Sequence, residues 1–435
     1  MNTHSALPFR MWGPVRCSGS SDAPTPRARA GQARPSHPPQ QAGGFFNHDM
    51  RPHSWVTIWA VLVILSQGCT RDNPALIEIG RLISPVGTYA VGTNPTSIAA
   101  GDFNSDSSTD LLVSNVSGDS LSLLLGNGDG TFQDTTTLKT GNMPRAMAAA
   151  DFNGDGHMDI ALANAGSEEV AILIGKGDGT FQPGESHPTH RAPLAIIISD
   201  FNRDHKDDLA VALKSDAVDI LWGNGNGTFK KGQTLEVEDT PTSVAAADLN
   251  QDGIIDLAIA NNGAMSNNIS VFMGQKDGTF KSLGHFPTGM RPLFVTTGDF
   301  TGDGRLDLEV VNGVRDSLSL LPGNGDGTFK PAINFGAGTG PASSIVLDVN
   351  GDNILDTVVV NNLGSTMTLL IGKGDGTFYN PPINYLTETG PFTIIQFEFK
   401  RGGRKGLAIA NNAKNSISVF AINPPPSTPA RIPAL

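Results

Sequence analysis

Asp151-Phe152-Asn153-Gly154-Asp155-Gly156-His157-Met158-Asp159 is the second of six acidic runs of the form D-x-N-x-D-x-x-x-D, and their spacing decides the fold. The leading carboxylates, Asp102, Asp151, Asp200, Asp248, Asp299 and Asp348, are separated by 49, 49, 48, 51 and 49 residues. Such a period marks one supersecondary unit used again and again. A seventh, degenerate copy follows. Gly406-Leu407-Ala408-Ile409-Ala410-Asn411-Asn412 aligns with Asp256-Leu257-Ala258-Ile259-Ala260-Asn261-Asn262, which puts Glu398 where Asp348 stood one unit earlier.

Working outward from Asp151, the apolar run Arg145 to Ala150 enters the acidic loop and Ile160 to Asn164 leaves it. A third run, Val170 to Ile174, ends in Gly175-Lys176-Gly177-Asp178-Gly179-Thr180-Phe181, whose glycines permit the positive φ angles of a tight hairpin. A weaker fourth strand reaches the Pro193 region. Four antiparallel strands per unit is the anatomy of a propeller blade. The expectation is therefore an all-β, seven-bladed β-propeller over residues 81–422. Gly-x-x-x-Gly-Thr-Phe recurs, and Phe132, Phe181, Phe229, Phe280, Phe329 and Phe378 read as hydrophobic plugs between adjacent blades. The seventh copy lacks this turn, so Leu82 to Val91 is expected to supply its outer strand. That closes the ring non-covalently and removes exposed sheet edges. A parallel β-roll is excluded, because its calcium motif must return every nine residues or so.

Side chains at positions 1, 3, 5 and 9 of a tight loop bring several oxygens to one centre, which suits a hard cation such as calcium. The candidate metal ligands are Asp102, Asn104, Asp106 and Asp110 in the first copy and Asp151, Asn153, Asp155 and Asp159 in the second. Asp200, Asn202, Asp204 and Asp208 follow in the third, and Asp248, Asn250, Asp252 and Asp256 in the fourth. The fifth offers Asp299, Thr301, Asp303 and Asp307, and the sixth Asp348, Asn350, Asp352 and Asp356. An EF-hand is excluded because position 12 of the second copy is Leu162, inside a strand. The second and fourth copies also keep a glycine at position 6, where Ser107, His205 and Asn353 stand in the first, third and sixth. The seventh copy offers Glu398, Lys400, Gly402 and Gly406, so no metal is expected there.

Through Asp-Phe-Asn-Gly-Asp-Gly and Gly-Asp-Gly-Thr-Phe the chain resembles the FG-GAP/VCBS repeat proteins, whose seven-bladed propeller is also found in the integrin α-subunit head. The resemblance covers all seven units. It implies structural calcium in the acidic loops, up to about six Ca2+, at the positions just named.

Only 17% of the 435 residues are charged and 51 are glycine, the composition of a turn-rich all-β chain. Cys17 and Cys69 both precede the repeats, so no disulfide staples the propeller. Trp55 to Leu65 is an apolar run of 11 residues after Met50-Arg51, too short to span a bilayer and suited to a signal peptide. Gly68-Cys69 resembles a bacterial lipoprotein processing site, which would leave a lipid anchor at Cys69 as the sole membrane attachment; simple secretion is the alternative. The expected organisation is 1–49, a disordered extension or a mis-assigned start, with true initiation at Met50 favoured; 50–69, the signal; 70–80, a linker; 81–422, the propeller; and 423–435, a Pro-rich tail. Without residues 1–68 the chain carries 24 basic against 40 acidic side chains, which argues against nucleic acid and for cations.

Loops joining strands two to three, and blade to blade, share the face away from the acidic loops and are the expected binding surface. Arg145, Arg191 and Arg291 stand beside interblade prolines and could meet one anionic group, or be isolated surface arginines. For catalysis the chain offers little. His157, His187, His190, His205 and His285 have no partnered nucleophile in sequence, and no Gly-x-Ser-x-Gly or His-Glu-x-x-His occurs. The leading expectation is an exported, monomeric calcium-binding propeller at the cell envelope or outside it, binding an extracellular protein or glycan as an adhesion module. The rivals are a polysaccharide lyase or hydrolase on the same scaffold and a scaffold subunit of an envelope complex.

Overall fold

The computed structural model describes residues 81–214 and 216–423. The signal-like segment, Cys69, the linker and most of the Pro-rich tail lie outside them. Seven antiparallel four-stranded sheets follow one another as the blades of an all-β propeller. In blade 1 the strands are Pro95–Gly101, Asp110–Asn115, Ser120–Leu124 and Thr136–Lys139. In blades 1 to 6 the acidic run joins the first strand to the second and the Gly-rich run joins the third to the fourth. First strands touch the first strands of both neighbouring blades, so they form the inner ring.

Blade 7 takes three strands from the C-terminal end, Pro391–Glu398, Lys405–Asn411 and Ser416–Ile422, and its outer strand, Ile83–Ala90, from the N-terminal end. The register runs from Ile83 opposite Ile422 to Ala90 opposite Ser416. Leu82 and Ile83 are 3% and 2% exposed, packed with Leu407, Ile409 and Phe420. Ring closure by residues 82–91 is as the sequence predicts.

The core is divided among the seams. Seven hydrophobic clusters each join two neighbouring blades; one, for example, packs Leu112, Leu121 and Leu123 of blade 1 on Met147, Ile160 and Leu162 of blade 2. The Gly-Thr-Phe phenylalanines sit in these seams. Phe229 meets Phe152 of the preceding blade edge to face at 5.3 Å, Phe280 meets Phe201 at 5.5 Å, and Phe378 meets Phe300 at 6.2 Å. The partner ring is position 2 of the previous acidic loop. Gly179, Gly227 and Gly376 of the Gly-rich loops donate backbone N–H to the carbonyls of Phe103, Phe152 and Phe300 at 2.8–2.9 Å. A Cβ on Gly227 would lie 2.8 Å from Ile174 and one on Gly130 2.5 Å from the Phe399 ring, so glycine here permits close approach between blades.

Candidate functional site

The acidic loops fold round their own oxygens. In the second, the Asp155 N–H donates to both Asn153 Oδ1 at 2.8 Å and Asp151 Oδ1 at 3.2 Å. Asp151 Oδ2 accepts the Gly156 N–H, and Asp155 Oδ1 accepts the His157 N–H, both at 2.8 Å. Asn153 Nδ2 closes onto Asp155 Oδ2 at 3.0 Å. Positions 1, 3 and 5 therefore converge on one centre. The fourth and sixth copies repeat the pattern through Asp248, Asn250 and Asp252, and through Asp348, Asn350 and Asp352. The first does so through Asp102, Asn104 and Asp106, and the third through Asp200, Asn202 and Asp204. In the fifth, Asp299 still accepts the Asp303 N–H at 3.1 Å, while Asp307 Oδ2 accepts the Thr301 N–H at 3.0 Å.

Position 6 is left-handed whatever residue occupies it: φ is 87° at Gly156 and 79° at Gly253, but also 68° at Ser107, 63° at His205 and 64° at Asn353. The non-glycine copies hold a conformation that L side chains disfavour.

Position 9 behaves differently from the other three. Asp110, Asp159, Asp208, Asp256, Asp307 and Asp356 are each fully buried at the start of the second strand. In Asp256, Oδ2 accepts the N–H of Leu249 at 2.9 Å and Oδ1 that of Gly274 at 2.8 Å. Asp159 bridges Phe152 and Gly175 in the same way. This carboxylate fastens the acidic loop to the Gly-rich loop of its own blade, a role that sequence spacing did not disclose. Burial, and beyond the opposing backbone N–H groups the nearby loop carboxylates, push Asp110, Asp208 and Asp256 up to about 6 and Asp356 up to about 7.

Among the described residues no three His, Cys, Asp or Glu side chains are gathered at metal-ligand distance. The donor chemistry nevertheless fits calcium: each loop sets two or three carboxylates and an amide or hydroxyl oxygen round a short turn. The seventh loop does not fit. Glu398 Oε2 accepts the Gly402 N–H at 2.6 Å, and Lys400 is tied by backbone to Ser108 of blade 1. Beside it a cleft of about 470 Å³ opens between blades 7 and 1, lined by Asp102, Thr109, Gln396, Glu398 and Arg401 among others.

The opposite face is anchored by asparagines that close the second strands. Asn115, Asn261, Asn312, Asn361 and Asn411 donate Nδ2 to a hydroxyl of the third strand at 2.8–3.0 Å, while each Oδ1 is buried without a partner. Their loops expose apolar side chains: Met143, Met265, Met290 and Leu363 are 48%, 84%, 39% and 76% exposed. Arg191 and Arg291 are exposed in the interblade loops, whereas Arg145 is half-buried in the inner ring.

Among the described residues the histidines do not assemble a catalytic centre. His285 comes nearest, with Nδ1 3.1 Å from Ser270 Oγ and Nε2 3.7 Å from Glu238 Oε1. Ser270, however, is fully buried and already accepts Asn261 Nδ2 at 2.9 Å. In blades 5 and 6 the His285 position is taken by Asn334 and Asn384, which accept from Ser319 and Thr368 at 2.7 Å. The array is a strand-pairing device rather than an activated nucleophile. His187 lies 3.5 Å from Glu185.

The family model for the FG-GAP-like repeat matches residues 102–162, 151–211, 200–259 and 248–310, each match opening on the first aspartate of an acidic loop. The chain is an FG-GAP repeat β-propeller. Among solved structures, this FG-GAP propeller resembles BBS1N in its crystal structure in complex with ARL6DN, soaked with lead: 10% identity and a TM-score of 0.58 over 79% of this chain and 97% of that one. A functionally unknown protein from Desulfotomaculum acetoxidans DSM 771 gives 13% identity and a TM-score of 0.54, over 74% and 95% of the two chains. At such identities the likeness is one of fold. No curated protein matches the sequence.

Proposed function

We propose that this FG-GAP propeller is an exported, calcium-stabilised binding module whose loop face, opposite the acidic loops, docks an extracellular protein or glycan. The observation that carries the calcium half is the convergence of Asp151 Oδ1 and Asn153 Oδ1 on the Asp155 N–H, with Asp155 Oδ2 closing onto Asn153 Nδ2, an arrangement the first, fourth and sixth copies share. A cation at that centre would be structural, since each loop holds its oxygens on its own backbone N–H groups. The exposed Met265 and Leu363 support a protein partner over a glycan, because apolar side chains raised on rigid loops suit an interface core. BBS1N, a propeller of similar fold, was crystallised in complex with ARL6DN, which is consistent with protein binding by such a ring.

Thermal unfolding of the chain in excess EDTA and in millimolar calcium, with the bound metal counted, tests the first half. About four to six ions and a clear rise in melting temperature are expected. An unchanged melting temperature with no bound metal removes calcium from the reading. A second reading, an enzyme of extracellular polysaccharides, is favoured by the cleft between blades 7 and 1, where Asp102 and Glu398 share a wall with Arg401. Activity toward an acidic polysaccharide that disappears in Glu398→Gln would replace the binding reading with this one.

A further inference from the structure

Every first strand contains one extra residue just after its opening proline, where the pairing register with the second strand slips. Six of these bulge residues are uncharged: Thr96, Leu194, Thr242, Leu293, Ala342 and Phe392. Blade 2 alone places a charge there, at Arg145. The position belongs to the inner ring at its lower end, facing the loops opposite the acidic runs. Its ring placement is fixed by Thr96 Oγ1, which donates to the Arg145 carbonyl across the blade 1 to blade 2 seam at 2.9 Å.

Arg145 is half-buried, and among the described residues its guanidinium takes part in no ion pair and no hydrogen bond. Burial alone pushes it down, with no carboxylate acting to restore it. A desolvated cation without a counter-charge is unfavourable unless something supplies one. The rest of the chain can be set against it: with a net charge of −12 there is no shortage of acids, yet none reaches this guanidinium.

We propose that Arg145 anchors a carboxylate-binding site at the lower end of the propeller's inner ring, for a small or terminal carboxylate carried on an apolar body. The planar guanidinium offers two parallel N–H donors that match a carboxylate. The apolar body is argued from the same level of the ring, where Leu194, Leu293 and Phe392 stand at the equivalent positions. A polyanion is disfavoured because one arginine is set in an acidic protein. The inference is independent of the macromolecular partner proposed above, since a small-ligand titration can fail while loop-face docking holds.

The test is calorimetric titration of the full chain with acetate, benzoate, the neutral isostere benzamide and inorganic phosphate. Benzoate is expected to bind saturably and more tightly than acetate, with no saturable binding of benzamide. Arg145→Leu copies the residue of blades 3 and 5, so the fold should survive, and it should weaken benzoate binding about ten- to a hundredfold. Arg145→Lys keeps the charge without the fork and should fall between, while Arg191→Ala should leave binding unchanged. Circular dichroism reports whether each variant is folded, and if Arg145→Leu is not, Arg145→Lys decides. No saturable binding of any carboxylate, variants that bind benzoate as the native chain does, or phosphate binding more tightly than every carboxylate would each overturn the assignment.

Discussion

Glu309 should make this propeller less stable as pH rises toward neutrality. It stands in the second strand of blade 5, where other blades carry Leu112, Ala161, Ala210, Ala258 and Val358. The side chain is 1% exposed in the seam with blade 6. Oε2 accepts the Thr357 hydroxyl at 2.6 Å, and the Ser344 hydroxyl also bears on the carboxyl. Burial pushes the carboxyl from 4.5 up to about 7, against which the Thr357 and Ser344 hydroxyls act only in part. A carboxyl raised in this way binds its proton more tightly in the folded than in the unfolded chain. Its stabilising protonated form is fully present below about pH 4.5 and lost as pH rises through about 7, with ionised Glu309 destabilising above that. The gap corresponds to about 3 kcal/mol. Glu309→Gln keeps the shape and removes the ionisation. Urea unfolding of both proteins from pH 4.5 to pH 8 in EDTA should show the difference in their unfolding free energies changing by about 3 kcal/mol in favour of the variant. The loop aspartates titrate in both proteins and cancel in that difference. Parallel curves for the two proteins would refute the argument.

Three further outcomes follow from the geometry. Asp256→Ala strands the buried N–H groups of Leu249 and Gly274 and should cost about 2–6 kcal/mol even without metal. Asp252→Ala, at an exposed loop position, should cost under about 1 kcal/mol in EDTA; equal losses in the two variants would sink the division of roles between positions 5 and 9. Ile83→Ala, in the strand that closes the ring, should lower stability by about 2–4 kcal/mol, and a loss near zero would mean the N-terminal strand does not hold blade 7. Ser107→Gly releases a side chain from φ 68° and should raise stability by about 1 kcal/mol, measurable as a shift in urea midpoint; a loss of stability would contradict the strain at position 6.

What was legible in the sequence was what repeats locally. The spacing of the acidic runs fixed the blade number, and the missing turn after Phe420 pointed to residues 82–91 as the closing strand. The Gly-Thr-Phe plugs were legible because a phenylalanine after a glycine hairpin has a seam to fill. Their partners were not, since Phe152 and Phe229 lie in different blades and position 2 of an acidic loop carries no signature of its own. The same distance hid the work of Asp256, whose second N–H donor is Gly274, 18 residues on. Spacing marks it only as a ninth loop oxygen, while burial makes it a fastener. The inner-ring bulge was hidden for another reason: one extra residue per strand leaves the period unchanged, so Arg145 reads as an ordinary strand residue until its register is seen.

These fastenings bear on what a cation bound as proposed would do. The carbonyl of Phe152 takes the Gly227 N–H of the next blade, and the Phe152 N–H is held by Asp159. A charge placed among Asp151, Asn153 and Asp155 therefore bears on a loop that is tied to its own Gly-rich hairpin and to that of the following blade. Its effect would travel along the seams and appear as stability of the whole ring rather than order in one loop. The opposite face has no such ties to the acidic loops, since its loops hang from Asn261 and its counterparts at the far ends of the second strands. Loops there can vary in length and character, as the stretch from Asn262 to Asn267 with its exposed Met265 does, without disturbing the part of the blade that holds the ring together. Such separation would let one face carry stability while the other carries the recognition proposed for it.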